Sequence, residues 1–244
     1  MLLTCDIGNS YISFGIFDNK ELESHFKLPT DKKAKAGDYL KDLGEKFPKR
    51  LLIDRLVIAS VVPEITVALA KALGLLLEIP PQILTNEKIP LANKYKQPEL
   101  VGTDRLLNAY AAVSLYKAPV IIVDFGTATT FDVVSAKEEY LGGAIVPGVE
   151  TSLEALFGKA SKLESVELKR PSEIIGHSTE ESIRSGVVIG TAGLVDKMVI
   201  EIEKDLGEST KVATGGLASL IIPYCETVEL IEPCLTLKGM ALLF

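Results

Sequence analysis

The chain has 244 residues, of which 47% are hydrophobic and 24% charged, the composition of a globular protein with a sizeable core. Its formal net charge is −7 and its Lys and Arg residues are scattered, which excludes a basic stripe for a nucleic-acid backbone. Apolar runs are too short for a membrane span or signal peptide, and three cysteines without CxxC spacing favour a reduced cytoplasmic protein.

The predicted elements of the first half begin with an antiparallel meander, because strand-like runs are separated by turn residues. We expect strands at 2–6, 11–17 and 21–27. They are followed by a helix at 37–47, a strand at 56–62, a helix at 64–76 and a joining helix at 104–116.

The second half repeats this order. We expect strands at 120–125, 129–135 and 139–146, one long or two short helices over 179–205, a strand at 211–214 and a helix at 235–243. Thr179 is the predicted N-cap of the long helical segment. Gly186, Gly190 and Gly193 share one face of that segment, which predicts close approach of a strand or of a ligand.

One short pattern occurs twice. Asp6-Ile7-Gly8-Asn9-Ser10 and Asp124-Phe125-Gly126-Thr127-Ala128-Thr129 each follow an apolar run and lead into a second strand. An Asp-x-Gly segment can also be an ordinary hairpin turn, since these residues dominate turns. The repetition of the whole unit favours two related α/β domains, 1–117 and 118–244, each with its own Asp-Gly turn.

The residue types of these turns suit phosphate binding. Glycine lets the backbone approach a phosphate closely, and successive N–H groups form an anion-binding concavity. A carboxylate beside phosphates needs a cation between them, and Mg²⁺ held by one or two carboxylates and phosphate oxygens fits. Neither GxGxxG nor GxxxxGK[ST] occurs, so the pattern predicts an ATP cleft between two domains without a P-loop. With only two histidines, acid–base chemistry falls mainly to carboxylates.

Further segments follow in an order that resembles type III pantothenate kinase, a family of the superfamily of acetate and sugar kinases, heat-shock chaperone ATPases and actin. Besides the two Asp-Gly turns, the matching segments are Ser60-Val61-Val62-Pro63, Tyr95-x-x-Pro98, Gly102-Thr103-Asp104-Arg105, Gly142-Gly143-x-Ile145-x-Pro147-Gly148, Thr179, Thr214-Gly215-Gly216 and Leu235-Thr236-Leu237-Lys238-Gly239. The resemblance implies two duplicated ribonuclease H-like (actin-like ATPase) domains with mixed sheets flanked by helices.

The same resemblance implies ATP-dependent phosphorylation of the pantothenate hydroxyl to 4'-phosphopantothenate, the first step of coenzyme A biosynthesis, in a homodimeric cytoplasmic enzyme. It implies Asp104 as the acceptor of the hydroxyl proton and Asp124 as the ligand of a monovalent cation, K⁺ or NH₄⁺. Asp6 is a candidate Mg²⁺ ligand, and from the residues alone Asp124 can bind either K⁺ or Mg²⁺. The implied ATP contacts are Asp6, Ile7, Gly8, Asn9, Ser10, Tyr11, Ile12, Ser13 and Thr127, and the implied substrate contacts are Tyr95, Gly102, Thr103, Asp104, Arg105 and Thr179.

Two positions depart mildly from the family pattern: Thr103, which is more often Ala, and Ser10, which is more often Thr. Read without the resemblance, Asp104 is equally a helix cap, Arg105 a surface ion pair and Tyr95 a half-buried aromatic residue. Two other functions stay open. One is another small-molecule kinase of the superfamily, and the other is a nucleotide-binding regulator without turnover, which would not need Asp104 as a base.

Overall fold

The computed structural model describes residues 1–47, 52–160 and 165–244. The strands are β1 (Leu2–Ile7), β2 (Tyr11–Asp18), β3 (Glu21–Pro29), β4 (Arg55–Ser60), β5 (Pro81–Ile83), β6 (Ala92–Asn93), β7 (Val120–Phe125), β8 (Ala128–Val134), β9 (Glu139–Pro147), β10 (Thr210–Gly215) and β11 (Leu230–Ile231). The helices are α1 (Ala36–Lys46), α2 (Pro63–Leu77), α3 (Thr103–Leu115), α4 (Val149–Lys159), α5 (Thr179–Leu206), α6 (Ala218–Ile221) and α7 (Leu235–Leu242).

The first sheet contains the predicted meander and has the strand order β3-β2-β1-β4-β5. Strand β1 pairs antiparallel with β2 and parallel with β4, so the sheet is mixed. Its core is formed by alternate apolar residues of these strands and by the inner faces of α1 and α2. The predicted strands and helices of this half are confirmed, and β5 was not foreseen.

The second sheet repeats the first. Its order is β9-β8-β7-β10-β11, with the two-residue strand β6 added beside β9. Strand β7 pairs antiparallel with β8 and parallel with β10, as β1 does with β2 and β4. Asp6 is the last but one residue of β1, and Asp124 is the last but one residue of β7. The repeated pattern therefore marks a repeated fold, as predicted.

The chain divides into two compact units. One comprises residues 1–91, 96–111 and 234–244, and the other comprises residues 92–95 and 112–233. The predicted ranges 1–117 and 118–244 stay a prediction. They differ from these units mainly in α7, which packs with the first unit.

Helix α7 contacts β1 and β2. A Cβ on Gly239 would lie 2.4 Å from the carbonyl oxygen of Leu107 in α3, so glycine is needed for this close approach. Thr236 Oγ1 also donates to Asn108 Oδ1 at 2.8 Å. The segment 235–239 is therefore a packing motif of the first unit. Among the described residues, no helix combines the length and apolar character that a membrane span requires.

Candidate functional site

The first Asp-Gly turn connects β1 to β2 and is fixed by backbone hydrogen bonds. The Gly8 N–H donates to the Tyr11 oxygen at 3.0 Å, and the Thr30 N–H donates to the Ser10 oxygen at 2.9 Å. The Thr30 hydroxyl also donates to the Gly8 oxygen at 2.7 Å. These donors engage the carbonyl oxygens of the turn, which reduces their repulsion toward an anion placed beside it.

The eight residues from Asp6 to Ser13 that are implied in ATP binding differ in which groups they expose to a ligand. Ile7 and Ile12 have fully buried side chains, so only their backbone groups are available to a ligand. The side chains that are exposed at the turn are Asn9, Ser10 and Tyr11, whereas Asp6, Gly8 and Ser13 are partly buried. The exposed hydroxyl and amide groups are the neutral donors that phosphate oxygens accept from.

The second Asp-Gly turn connects β7 to β8 and has a comparable frame. The Gly126 N–H donates to the Ala128 oxygen at 3.1 Å. The Thr127 oxygen accepts from the Gly148 N–H at 3.2 Å and from the Thr151 hydroxyl at 2.8 Å. A Cβ on Gly148 would lie 2.4 Å from the Thr127 oxygen, so the start of α4 supports this turn only because residue 148 is glycine.

Asp124 stands in a row of polar residues across the second sheet. Its neighbours in register are Thr214 on β10 and Thr130 on β8. A Cβ on Gly215 would lie 2.6 Å from Asp124 Oδ1, and Gly215 has a φ of +92°, so both sterics and backbone conformation require glycine there. Carboxylate and hydroxyl oxygens of this kind suit a hard cation.

The segment 102–105 lies near the end of the first sheet at which β1, with Asp6, and β4 terminate. The Val61 N–H, just after β4, donates to the Ile7 oxygen at 3.1 Å. The Cβ position of Gly102 is 3.6 Å from Val61 Cγ1. The parallel strands β1 and β4 end together, and the contact of Gly102 with Val61 places the start of α3, with Asp104, at the end of the sheet that carries Asp6.

Asp104 lies in the first turn of α3, one residue inside the helix, rather than at its cap. Its Oδ1 accepts from the Arg105 N–H at 2.8 Å, and a Cβ on Gly102 would lie only 2.4 Å from the same oxygen. Burial raises the pKa of the Asp104 carboxyl above its ordinary value, and the Arg105 N–H and guanidinium offset part of that rise. A carboxyl with a raised pKa is a better proton acceptor than an ordinary one.

Thr103 uses its hydroxyl within the protein. Thr103 Oγ1 donates to Asn86 Oδ1 at 2.7 Å, and Asn86 Nδ2 donates to the Val101 oxygen at 2.7 Å. Sequence reasoning did not single out Asn86, because one Asn in a loop carries no pattern. The hydroxyl at position 103, where the chain departs from the family pattern, was the only available hint.

Tyr95 belongs to the second unit. Its ring lies against Gly142 of β9, where an added Cβ would lie 3.0 Å from Tyr95 Cδ2. The side chain is 38% exposed, so part of the ring is available to a ligand. Gly142 has a φ of +108°, so glycine is needed there both for the backbone conformation and for the space that the aromatic ring occupies.

Thr179 is exposed at the start of α5 and lines an open depression of about 600 Å³. The predicted N-cap role of Thr179 is wrong, because Ser178 is the N-cap and its Oγ accepts from the Glu181 N–H at 3.2 Å. The cap therefore leaves the Thr179 side chain outside the capping hydrogen bond. The depression is lined by Gly176, His177, Ser178, Thr179, Ser182 and Ile183.

For the glycine face of α5, the prediction of a closely approaching strand is wrong, and the alternative of a ligand stays a prediction. Cβ atoms added to Gly186, Gly190 or Gly193 would meet nothing within 4 Å. The helix is continuous from Thr179 to Leu206, and its packed side is formed by other residues such as Val188 and Val195. Close packing of a strand on these glycines is therefore not their role.

In the described part of the chain, no three His, Cys, Asp or Glu side chains cluster as a metal site would require. Mg²⁺ can be bound through only one or two carboxylates together with the phosphates of a nucleotide. Asp6 and Asp124, each beside its glycine turn, have the donor chemistry for such an ion. They also have the chemistry for a monovalent cation, which the protein atoms alone do not distinguish.

Comparison with known proteins decides the family. The family model described as type III pantothenate kinase matches residues 2–201. The chain belongs to the type III pantothenate kinase family. It is 41% identical to the type III pantothenate kinase of Roseiflexus sp. (strain RS-1), over 100% of this chain and 98% of the relative. It is 42% identical, with the same coverage, to that of Geobacter sulfurreducens.

Solved structures of more distant proteins agree with this fold. A Campylobacter jejuni protein described as a Baf family transcriptional activator is 20% identical, with a TM-score of 0.59, covering 99% of this chain and 96% of its own. The ethanolamine utilization protein EutJ from Carboxydothermus hydrogenoformans is 15% identical, with a TM-score of 0.54, covering 99% of this chain and 89% of its own. At these identities the likeness shows the fold alone, two ribonuclease H-like domains with mixed sheets. Family membership makes the chain an ATP-using kinase.

Proposed function

We propose that the protein transfers the γ-phosphoryl group of ATP to the hydroxyl of pantothenate, giving 4'-phosphopantothenate and ADP as the first step of coenzyme A biosynthesis. Membership of the type III pantothenate kinase family supports the substrate. The single structural observation that supports the chemistry is the position of Asp104, whose carboxylate lies beside Gly102 at the end of the sheet that also carries Asp6.

The reaction needs little covalent chemistry from the protein. The pantothenate hydroxyl oxygen forms a bond to the γ-phosphorus, the bond to the β–γ bridging oxygen breaks, and ADP departs. The hydroxyl proton passes to a carboxylate oxygen of Asp104. Because the transition state is loose, the proton transfers late, and positioning and charge stabilisation supply most of the acceleration.

The first unit supplies the base and one phosphate-binding turn. In this proposal Asp6 to Ser13 bind ATP phosphates, through N–H groups of the turn and the exposed side chains of Asn9 and Ser10. Pantothenate binds beside Asp104 through Gly102, Thr103 and Arg105. The planar guanidinium of Arg105 suits the carboxylate of pantothenate.

The second unit supplies Thr127 as a further ATP contact and Tyr95 and Thr179 as substrate contacts. Asp124, in register between two threonines, is the proposed ligand of K⁺ or NH₄⁺. Asp6 is the proposed Mg²⁺ ligand. When bound, the cations neutralise negative charge on the triphosphate.

The proposal also includes a homodimer and a cytoplasmic location. The homodimer rests on the family resemblance and is tested by sedimentation equilibrium. The location is supported by the free thiols of Cys5 and Cys225, which suit a reducing compartment.

The direct test is ADP production from ATP and pantothenate with Mg²⁺, with and without K⁺, and phosphorus NMR of the product. We expect turnover that requires pantothenate and that rises with K⁺. Sugars and short-chain acids serve as competing acceptors. Faster phosphorylation of one of these acceptors would show that it is the substrate in place of pantothenate. Absence of turnover by folded protein with every acceptor would favour a nucleotide-binding regulator.

The pH dependence of kcat/KM should reflect the ionisation of the Asp104 carboxyl. Only the ionised carboxylate accepts a proton, and burial raises the pKa of Asp104, so kcat/KM should fall as the pH is lowered through a value above the ordinary Asp pKa of about 3.9. The measurement is a pH profile at subsaturating pantothenate. An acid limb that persists in Asp104→Asn would assign it to another group.

Asp124→Ala should weaken ATP binding and remove activation by K⁺, because the carboxylate that holds the cation is lost. We expect the KM for ATP to rise about tenfold, equivalent to about 1.4 kcal/mol. The matched control is Asp205→Ala, which removes an exposed carboxylate from α5 of the same unit. Full K⁺ activation in Asp124→Ala would place the cation elsewhere.

A further inference from the structure

The Asn86 side chain forms hydrogen bonds to the residues on both sides of Gly102, the glycine that precedes α3. It lies in the short 3-10 turn Asn86–Lys88 after β5, and its side chain reaches the segment 101–103. Nδ2 donates to the Val101 oxygen at 2.7 Å, and Oδ1 accepts from Thr103 Oγ1 at 2.7 Å. One amide side chain is thereby bonded to the residue before Gly102 and to the residue after it.

The chemistry of the partners fixes the direction of this amide. A backbone carbonyl oxygen can only accept, so the nitrogen of Asn86 must face Val101. The amide oxygen then faces Thr103, whose hydroxyl can donate. Only a side chain that carries a donor and an acceptor on neighbouring atoms can make both bonds, so neither Asp nor Ala is equivalent at position 86.

The geometry of Gly102 controls the carboxylate of Asp104. A Cβ on Gly102 would lie 2.4 Å from Asp104 Oδ1, so the carboxylate occupies the space beside this α-carbon. The Gly102 oxygen also accepts the Leu106 N–H at 3.3 Å, which links the same residue to the first turn of α3. A change in the backbone at Gly102 therefore moves Asp104 with it.

We propose that Asn86 is a positioning residue that acts through the backbone of residues 101–103 to hold the Asp104 carboxylate in place for proton acceptance. This inference rests on the proposed function, in which Asp104 is the base. Asn86 itself contacts the backbone and a hydroxyl, and it carries no charge and takes no proton. Its contribution is to kcat, because it fixes the geometry of a group that acts in the transition state.

The test is a double-mutant cycle between Asn86→Ala and Asp104→Asn. In the otherwise unchanged protein, Asn86→Ala should lower kcat about tenfold and leave the KM for ATP within about twofold, since small displacements of reacting groups are costly. In the Asp104→Asn background, Asn86→Ala should have almost no further effect on kcat, because no base is left to position. A merely structural role would lower kcat equally in both backgrounds.

Two further variants keep the test decisive. Tyr39→Phe is the matched control, because it removes another hydrogen bond to the backbone of the same unit, from Tyr39 Oη to the Asp31 oxygen. It should leave kcat within about twofold. If Asn86→Ala does not fold, Asn86→Asp replaces it: this nearly isosteric change keeps the acceptor for Thr103 and loses the donor to Val101, and it should lower kcat in the same background-dependent way.

The outcomes separate this inference from the proposed function. If Asp104→Asn lowers kcat but Asn86→Ala does not, the positioning role is wrong and the base stands. Equal losses in both backgrounds also overturn the positioning role. If the unchanged protein does not phosphorylate pantothenate, or if Asp104→Asn is fully active, the proposed function itself is overturned, independently of the result for Asn86. A loss that appears only with Asp104 present supports both.

Discussion

Asp104→Asn should lower kcat for pantothenate phosphorylation by about 10²- to 10⁴-fold, the range that a positioned general base contributes. The amide keeps the size of the side chain and can still accept from the Arg105 N–H, so α3 should start as before. It cannot take up the hydroxyl proton. ATP binding should persist, because the residues proposed for the phosphates lie in the Asp-Gly turns.

The measurement combines steady-state kinetics with calorimetric titration of an ATP analogue. We expect a large loss in kcat and an unchanged Kd for the nucleotide. Burial disfavours the charged form of the Asp104 carboxyl, so its replacement by a neutral amide should not lower the free energy of unfolding. Turnover within threefold of the unchanged protein would remove Asp104 from the mechanism.

Gly102→Ala should lower kcat about 100-fold although the base itself is not replaced. The new Cβ would lie 2.4 Å from Asp104 Oδ1, so the carboxylate must move and lose the hydrogen bond from the Arg105 N–H. A displacement of about 1 Å at a reacting group can cost about 10²-fold in rate. Since that hydrogen bond lowers the pKa of Asp104, its loss should also move the acid limb of kcat/KM to higher pH.

Stability should change little in Gly102→Ala, because the next nearest atom beyond Asp104 is Val61 Cγ1 at 3.6 Å, an ordinary contact. Alanine before α3 should cost about 1 kcal/mol as a poor cap. Gly44→Ala is the matched control: it adds the same methyl group to α1, where nothing lies within 4 Å, and it should stabilise the protein slightly. Thermal unfolding and kcat, measured on both variants, separate rate from stability.

The repeated fold could be predicted from sequence because each half begins with an apolar strand that ends in Asp-x-Gly. Strand alternation and turn residues then place β1 to β3 and β7 to β9 within one or two residues. Short strands were missed, since β5, β6 and β11 have three, two and two residues and too little pattern to recognise. Their existence depends on sheet edges that only the assembled unit provides.

The candidate site was predictable where a residue type is tied to a backbone requirement. Gly102, Gly148 and Gly215 stand in the family segments, and each lies where an added Cβ would collide. Asn86 could not be found in this way, because its partners are 15 and 17 residues away along the chain. The wrong N-cap has a different cause. Ser178 and Thr179 are adjacent and both carry a hydroxyl group, so only the backbone path distinguishes them.

The packing of α7 has a consequence for biosynthesis. Helix α7 lies on β1 and β2 and against the carbonyl of Leu107, so the first unit contains a helix that is synthesised after the whole of segment 112–233. Domains usually fold as units, N-terminal first, as the chain emerges. Here the first unit cannot be completed until α7 has been synthesised, and the central segment 112–233 is free to fold before the unit that encloses it in sequence.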